Sequence, residues 1–192
     1  MANKAKSPMA VNKSETPSWM RAVVILVVIS FAAGGVAIVA AGIGGGGSQS
    51  ATPGATGDSI TAQYQPRVDS AVAAATSSPD NPDVIAQVGH AYFEWAVALY
   101  ESGQVPASIP IWKSAVSYYD QVLAIRPDDD VVLGNKAFAL YYAQDAVLAP
   151  AALEAFIAAA ADNPSLAAQV ENARGMLTEL ATASATATTT AP

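Results

Sequence analysis

The sequence predicts an all-α protein, with an apolar N-terminal span followed by a run of helical hairpins. Three observations predict it. From residue 58 onward apolar side chains recur at steps of three and four, the spacing that lines one face of a helix. Alternation of period two does not persist anywhere, and neither Asn-Gly nor Asp-Gly occurs to turn a β-hairpin. The stretch from Ala22 to Ile43 carries no charge at all.

That stretch, AVVILVVISFAAGGVAIVAAGI, is 22 residues long. At about 1.5 Å per residue it suffices for a hydrocarbon core of about 30 Å, and it offers no polar face to water. Residues 1–21 are expected to be a short cytoplasmic N-terminus. Lys4, Lys6, Lys13 and Arg21 precede the span against Glu15 alone, and no Lys or Arg follows until Arg67. Trp19 stands where an interfacial anchor belongs. A cleaved signal peptide, with Val39 and Ala41 near the cut, is the rival reading. The run is longer than the usual signal-peptide core, which favours an uncleaved single-pass membrane anchor.

Residues 44–57, GGGGSQSATPGATG, read as a flexible linker with a root-mean-square reach of about 20 Å. Residues 181–192 are an Ala/Thr tail expected to be disordered. Between them, residues 58–180 form the one folded domain. The first helix lies within 58–77, around Pro66. The second, over 82–102, has its face at Val84, Ile85, Val88, Tyr92, Trp95, Ala96 and Leu99. The third runs from Pro110 to Ile125 through Ile111, Trp112, Ala115, Tyr118, Tyr119 and Val122. A fourth is expected over 129–148, a fifth over 150–161, and a sixth over 165–180 with Leu166, Val170, Ala173, Leu177 and Leu180 in register. Pro110 and Pro150 suit first turns, and Pro82, Pro127 and Pro164 suit the gaps between helices.

Composition excludes several functions. With no cysteine there is no disulfide framework, thiolate metal site or cysteine nucleophile, and one histidine, His90, rules out a site of two imidazoles. The net charge of −7 divides into +3 over residues 1–21 and −10 over residues 58–192, five positive against fifteen negative. An acidic domain makes a poor nucleic-acid partner. Solvation of helix surfaces accounts for its charge, and a preference for basic partners is the functional alternative.

An internal repeat is the most informative motif. Ala115–Pro127, AVSYYDQVLAIRP, and Ala152–Pro164, ALEAFIAAAADNP, both place Ala first and an aromatic four residues later (Tyr119, Phe156). A small or β-branched residue follows three further on (Val122, Ala159), with Pro five beyond that. This resembles the second helix of a tetratricopeptide repeat (TPR). Leu133-Gly134-Asn135 resembles the Leu-Gly pair of the family's first helix, Gly103 its turn residue, and Trp112 an aromatic commonly found before the small residue. The resemblance covers residues 82–180 and implies a TPR-like helix-turn-helix solenoid after the transmembrane helix. Two departures stand out: the stretch QVPASIP after Gly103, and a fourth helix that overshoots its turn without a glycine. Other helical solenoids and a plain helical bundle remain open.

The resemblance also implies a peptide-binding groove lined by the first helix of each pair. Candidate lining residues are His90, Glu94 and Asn135, with Lys136 beside them. Asp128-Asp129-Asp130 lacks the alternating ligands and glycine of a calcium loop, and helix capping explains it. No metal or cofactor is expected. His90 and Glu94 could pair at one helical turn, but without a nucleophile the pair argues little for catalysis. The expected role is therefore non-enzymatic: a membrane-tethered module binding a protein or peptide partner outside the cytoplasmic membrane, with a place in envelope protein assembly or chaperoning. A structural accessory subunit of a larger membrane complex is the alternative.

Overall fold

A computed structural model describes residues 56–189, and of these the side chains through residue 186. The expected cytoplasmic N-terminus, the span at 22–43 and most of the linker lie outside the described residues, as do 190–192. Six α-helices follow one another: α1 (Gly57–Ser77), α2 (Pro82–Glu101), α3 (Val105–Ile125), α4 (Asp130–Tyr142), α5 (Ala149–Ala159) and α6 (Ala167–Thr189). A short 3-10 turn, Pro164–Leu166, leads into α6, and the described residues contain no strand. None of these helices is long and apolar enough to cross a membrane.

Each helix packs mainly on its neighbours in the chain, and α4 also touches α6. Their apolar stripes set this order. Ile60, Tyr64 and Val68 on α1 meet Trp95, Ala98 and Leu99 on α2. Trp112, Ala115, Tyr119 and Val122 form one sealed stripe on α3. Ala149, Leu153, Phe156 and Ala160 do the same for α5 and its end. Burying each large apolar side chain contributes roughly 1.5–3 kcal/mol.

Three turns share one construction. In each, the residue closing a helix donates its N–H back into that helix, and three residues later a polar residue opens the next. Ser78 and Asn81, Arg126 and Asp129, and Ala160 and Asn163 fill these two places, and the later N–H donates to the earlier carbonyl. Asn81 Oδ1 accepts from the Asp83 and Val84 amides, Asp129 Oδ1 from Val132 at 3.0 Å, and Asn163 Oδ1 from Ser165 at 3.1 Å. These caps satisfy amides that have no partner within their helix. The capping expected of the Asp128–Asp130 run is thus made by Asp129.

The other two turns, after α2 and α4, also match. Gly103 and Gln144 both take positive φ, 84° and 58°. Gly103 and Gln104 donate to Tyr100 and Leu99, and Gln144 and Asp145 donate to Tyr141 and Leu140. This is the helix-ending arrangement that glycine usually serves, with glutamine bearing the strain in the second hairpin.

The seams within the two hairpins correspond as well. Gly89 faces Tyr119 so closely that a Cβ there would lie 2.6 Å from the ring, and Gly134 faces Phe156, where a Cβ would lie 2.8 Å from the ring. Gly89 precedes its turn residue by fourteen positions and Gly134 by ten. Tyr119 follows its turn residue by sixteen and Phe156 by twelve. Between turn and seam the first hairpin is therefore longer by four residues on each limb, about one helical turn, and the seam keeps its register. The repeat expected from Ala115–Pro127 and Ala152–Pro164 thus extends across whole helical hairpins.

The structure changes several boundaries. The third helix begins at Val105, so QVPASIP is no inserted stretch; it supplies the first turns of α3. Pro110 lies inside that helix and Pro66 inside α1, both on exposed faces where one missing amide is tolerated. The fourth helix stops at Tyr142, because Gln144 reverses the chain without the glycine that appeared to be required. The expected disordered tail is helical through Thr189. Alanine favours helix, and the Thr178, Thr182 and Thr186 hydroxyls each donate to the carbonyl four residues back. Thr56 and Gly57, placed in the linker by sequence, instead cap and begin α1. Ala159, paired with Val122 by sequence, is exposed, and Ala160 is the buried residue.

Candidate functional site

The four residues singled out by sequence go to different places. His90 follows Gly89 on α2 and lies beside Tyr119, ring centroids 5.6 Å apart. Its ring is half-buried, its Nε2 fully so, and burial lowers its pKa to about 3. Glu94, one turn on, reaches toward α1 and meets Arg67 at 2.6 Å. Lys136 meets Asp120 of α3 at 2.7 Å. Asn135 is 3% exposed and its Nδ2 has no hydrogen-bond partner. No direct contact joins these four into one cluster.

Equivalence between hairpins explains two of the positions. Asn135 lies six residues after the cap Asp129, and Gln169 six after the cap Asn163. Gln169 is also 3% exposed, with Oε1 unpartnered. His90 is next to Gly89 as Asn135 is next to Gly134, although it lies nine residues after its cap Asn81 rather than six. Asn135 is thus matched with Gln169 by its distance from the cap and with His90 by its place at the seam. Sequence reasoning found His90 and Asn135 but missed Gln169, whose signal was the recurring cap at Asn163.

Nearer the Gly103 and Gln144 turns, α2, α4 and α6 converge on a second group. Tyr100 of α2 and Tyr142 of α4 meet edge to face at 5.2 Å, and Tyr141 meets Tyr142 at 5.3 Å. Trp112 stacks on the other side of Tyr142 at 5.3 Å. The Tyr141 hydroxyl donates to Glu179 Oε2 of α6 in a short hydrogen bond. Tyr142 is 8% exposed and its hydroxyl has no partner. Its pKa is pushed up by burial first, then by the neighbouring phenols Tyr100 and Tyr141 and the carboxylates of Glu179 and Glu101, of which only the carboxylates are charged near neutral pH. Tyr141 is raised by burial, by its bond to Glu179 and by that carboxylate's charge. Tyr100 and Tyr141 are equivalent in the repeat, each three residues before its turn residue and accepting from that residue's amide. Nothing in the sequence sets these tyrosines with Glu179, 38 residues away from Tyr141.

The opposite end of the helices holds the acidic turns. Arg126 at the end of α3 meets Asp83 at the start of α2 at 2.9 Å and Asp129 at 3.4 Å. Asn163 donates to Asp130 at 2.7 Å. Among the described residues no group of three His, Asp or Glu side chains is arranged to hold a metal ion.

Comparison with protein-family models, with curated proteins and with solved structures finds no match.

Proposed function

We propose that this chain is a membrane-anchored, TPR-like helical-repeat protein that binds peptide segments of protein partners outside the cytoplasmic membrane. The observation that carries this reading is the repeated register. Two hairpins have equivalent close seams, Gly89 against Tyr119 and Gly134 against Phe156, and equivalent turns, and in each a polar residue, His90 or Asn135, follows the close contact. Repeats in register present a continuous face to an extended partner. Asn135 and Gln169 themselves lie buried beneath that face, so partly exposed neighbours such as Glu94 and Lys136 would meet the peptide. The membrane anchor rests on the uncharged span at 22–43 and the basic flank before it. The non-enzymatic role rests on a sequence with no cysteine and a single histidine.

One observation favours the alternative, an accessory subunit of a membrane complex. Val147 and Leu148 are 84% and 55% exposed in the turn before α5, held out by Asp145, whose Oδ1 accepts from both their amides. A rigid apolar tip of this kind suits a permanent neighbour.

The test is photo-crosslinking of the full chain in its native membranes, with a photoreactive residue replacing Lys136 or Val147 in turn. Crosslinks to varied partners from position 136 support peptide binding. Stoichiometric crosslinks to one membrane subunit from position 147 alone would replace it with the subunit reading. Protection of the C-terminal domain from protease in intact cells would reverse the topology.

A further inference from the structure

We propose that the end of the α2–α4–α6 face built by Tyr100, Tyr141, Tyr142 and Glu179 is a seat for a cationic side chain, Lys or Arg, of a bound peptide. The proposal rests on the peptide-binding reading above and names which peptides are bound. Aromatic faces attract a cation through their quadrupole, and a carboxylate beside them adds direct charge. Both are present: the Tyr100–Tyr142–Tyr141 rings stand 5.2 and 5.3 Å apart in sequence, and Glu179 is tied to Tyr141. That tie uses one carboxylate oxygen and fixes the orientation of the group. The Tyr142 hydroxyl is more than nine-tenths buried and unpartnered, its ring touches Tyr100 and Tyr141, and the Glu179 and Glu101 carboxylates act on it electrostatically. It offers an acceptor lone pair that an ammonium or guanidinium can use.

The protein makes the same arrangement elsewhere with a cation of its own. The Arg67 guanidinium lies 5.4 Å from the Tyr64 ring centre and 2.6 Å from Glu94. At the Tyr142 end the aromatic and acidic groups are repeated, while the ion pairs of Arg67, Arg126, Lys136 and Arg174 are all made with other carboxylates. Residues 58–192 carry a formal charge of −10, so a basic segment is drawn in at long range as well.

The test uses the full chain in detergent and short fluorescein-labelled peptides in which alanine alternates with arginine, lysine, glutamine or glutamate. Anisotropy titrations are expected to rank arginine and lysine peptides at least about tenfold tighter than the glutamine peptide, with the glutamate peptide weakest. Two variants locate the seat. Glu179→Gln keeps an acceptor for Tyr141 and removes one charge. Tyr142→Phe removes a hydroxyl that bonds to nothing, so the fold stands. Each is expected to weaken the basic peptides severalfold and leave the glutamine peptide unchanged. Asp128→Asn, the same charge change at the opposite end, is expected to leave both unchanged. Equal weakening by Glu179→Gln and Asp128→Asn would show diffuse charge attraction and overturn the seat. So would a glutamine peptide binding as tightly as an arginine peptide, an outcome that leaves peptide binding itself standing. Failure of all four peptides to bind would remove both readings.

Discussion

Replacing Gly89 with alanine is the sharpest probe of the hairpin seam, because the same substitution has opposite expected signs at two places. Alanine is about 1 kcal/mol better than glycine inside a helix. At Gly175 on α6 a new Cβ meets nothing within 4 Å, so Gly175→Ala should stabilise by up to about 1 kcal/mol. At Gly89 the new Cβ would lie 2.6 Å from Tyr119 Cε1 and 2.9 Å from Cδ1, and the Tyr119 ring is fully buried. A buried ring cannot swing away, so either the two helices separate or Tyr119 leaves its rotamer. Overpacking of this kind costs about 1–3 kcal/mol. Net of the helix gain, Gly89→Ala should destabilise by up to about 2 kcal/mol, and Gly134→Ala, whose Cβ would meet Phe156 at 2.8 Å, should do the same. The assay is thermal and urea unfolding followed by far-ultraviolet circular dichroism. At about 4 °C per kcal/mol for a domain this size, Gly175→Ala should raise the midpoint and Gly89→Ala lower it by several degrees. Tyr119→Leu in the Gly89→Ala background should recover part of the loss. A Gly89→Ala variant as stable as Gly175→Ala would show that α2 and α3 do not close at this point, and the repeat register argued from it would fall.

Two further outcomes follow from the buried polar groups. The pKa of His90 is held at about 3 in the folded chain against 6.5 unfolded, so folding favours the neutral ring. Its contribution is complete above pH 6.5 and is lost as pH falls from there toward 3. Between pH 6.5 and 4.5, where carboxylates contribute little, wild-type stability should fall with a slope of at most about 1.4 kcal/mol per pH unit, and His90→Gln should flatten it. A slope unchanged by His90→Gln in urea titrations would mean the imidazole is solvated. Asp129→Ala should cost about 1 kcal/mol by unfolding assays, since Asp129 Oδ1 caps α4 and Oδ2 meets Arg126, whereas Asp128→Ala should be neutral.

The helices were legible because their signals are local. Steps of three and four, Pro at first turns and Asn or Asp before them fix where an amphipathic helix begins, and these needed no tertiary information. Ends were harder. The glycine at 103 announced its turn, but Gln144 could not, because glutamine has no intrinsic preference for positive φ. Tyr119 and Phe156 were recognisable as repeat residues from the spacing that follows each of them. Gly89 escaped notice since a turn inserted in both limbs of the first hairpin moved it eight residues out of register with Gly134. Of the candidate site, the sequence named His90, Asn135 and Glu94 as lining residues, with Lys136 beside them. The last two instead hold α2 to α1 and α4 to α3 through ion pairs no spacing rule could foresee.

The sequence by itself determined that residues 58–180 are helical, that an uncharged span precedes them with basic residues on one side, and that thiolate and paired-imidazole chemistry are excluded. These follow from residue identity and near-neighbour spacing, which act within a helical turn or two. Tertiary structure alone decided that the seams are equivalent, that Gln169 falls in line with Asn135, and that Tyr100, Tyr142 and Glu179 meet at one end. Those depend on the phase between helices, and phase is set by which bulky ring a glycine on the facing helix lets close.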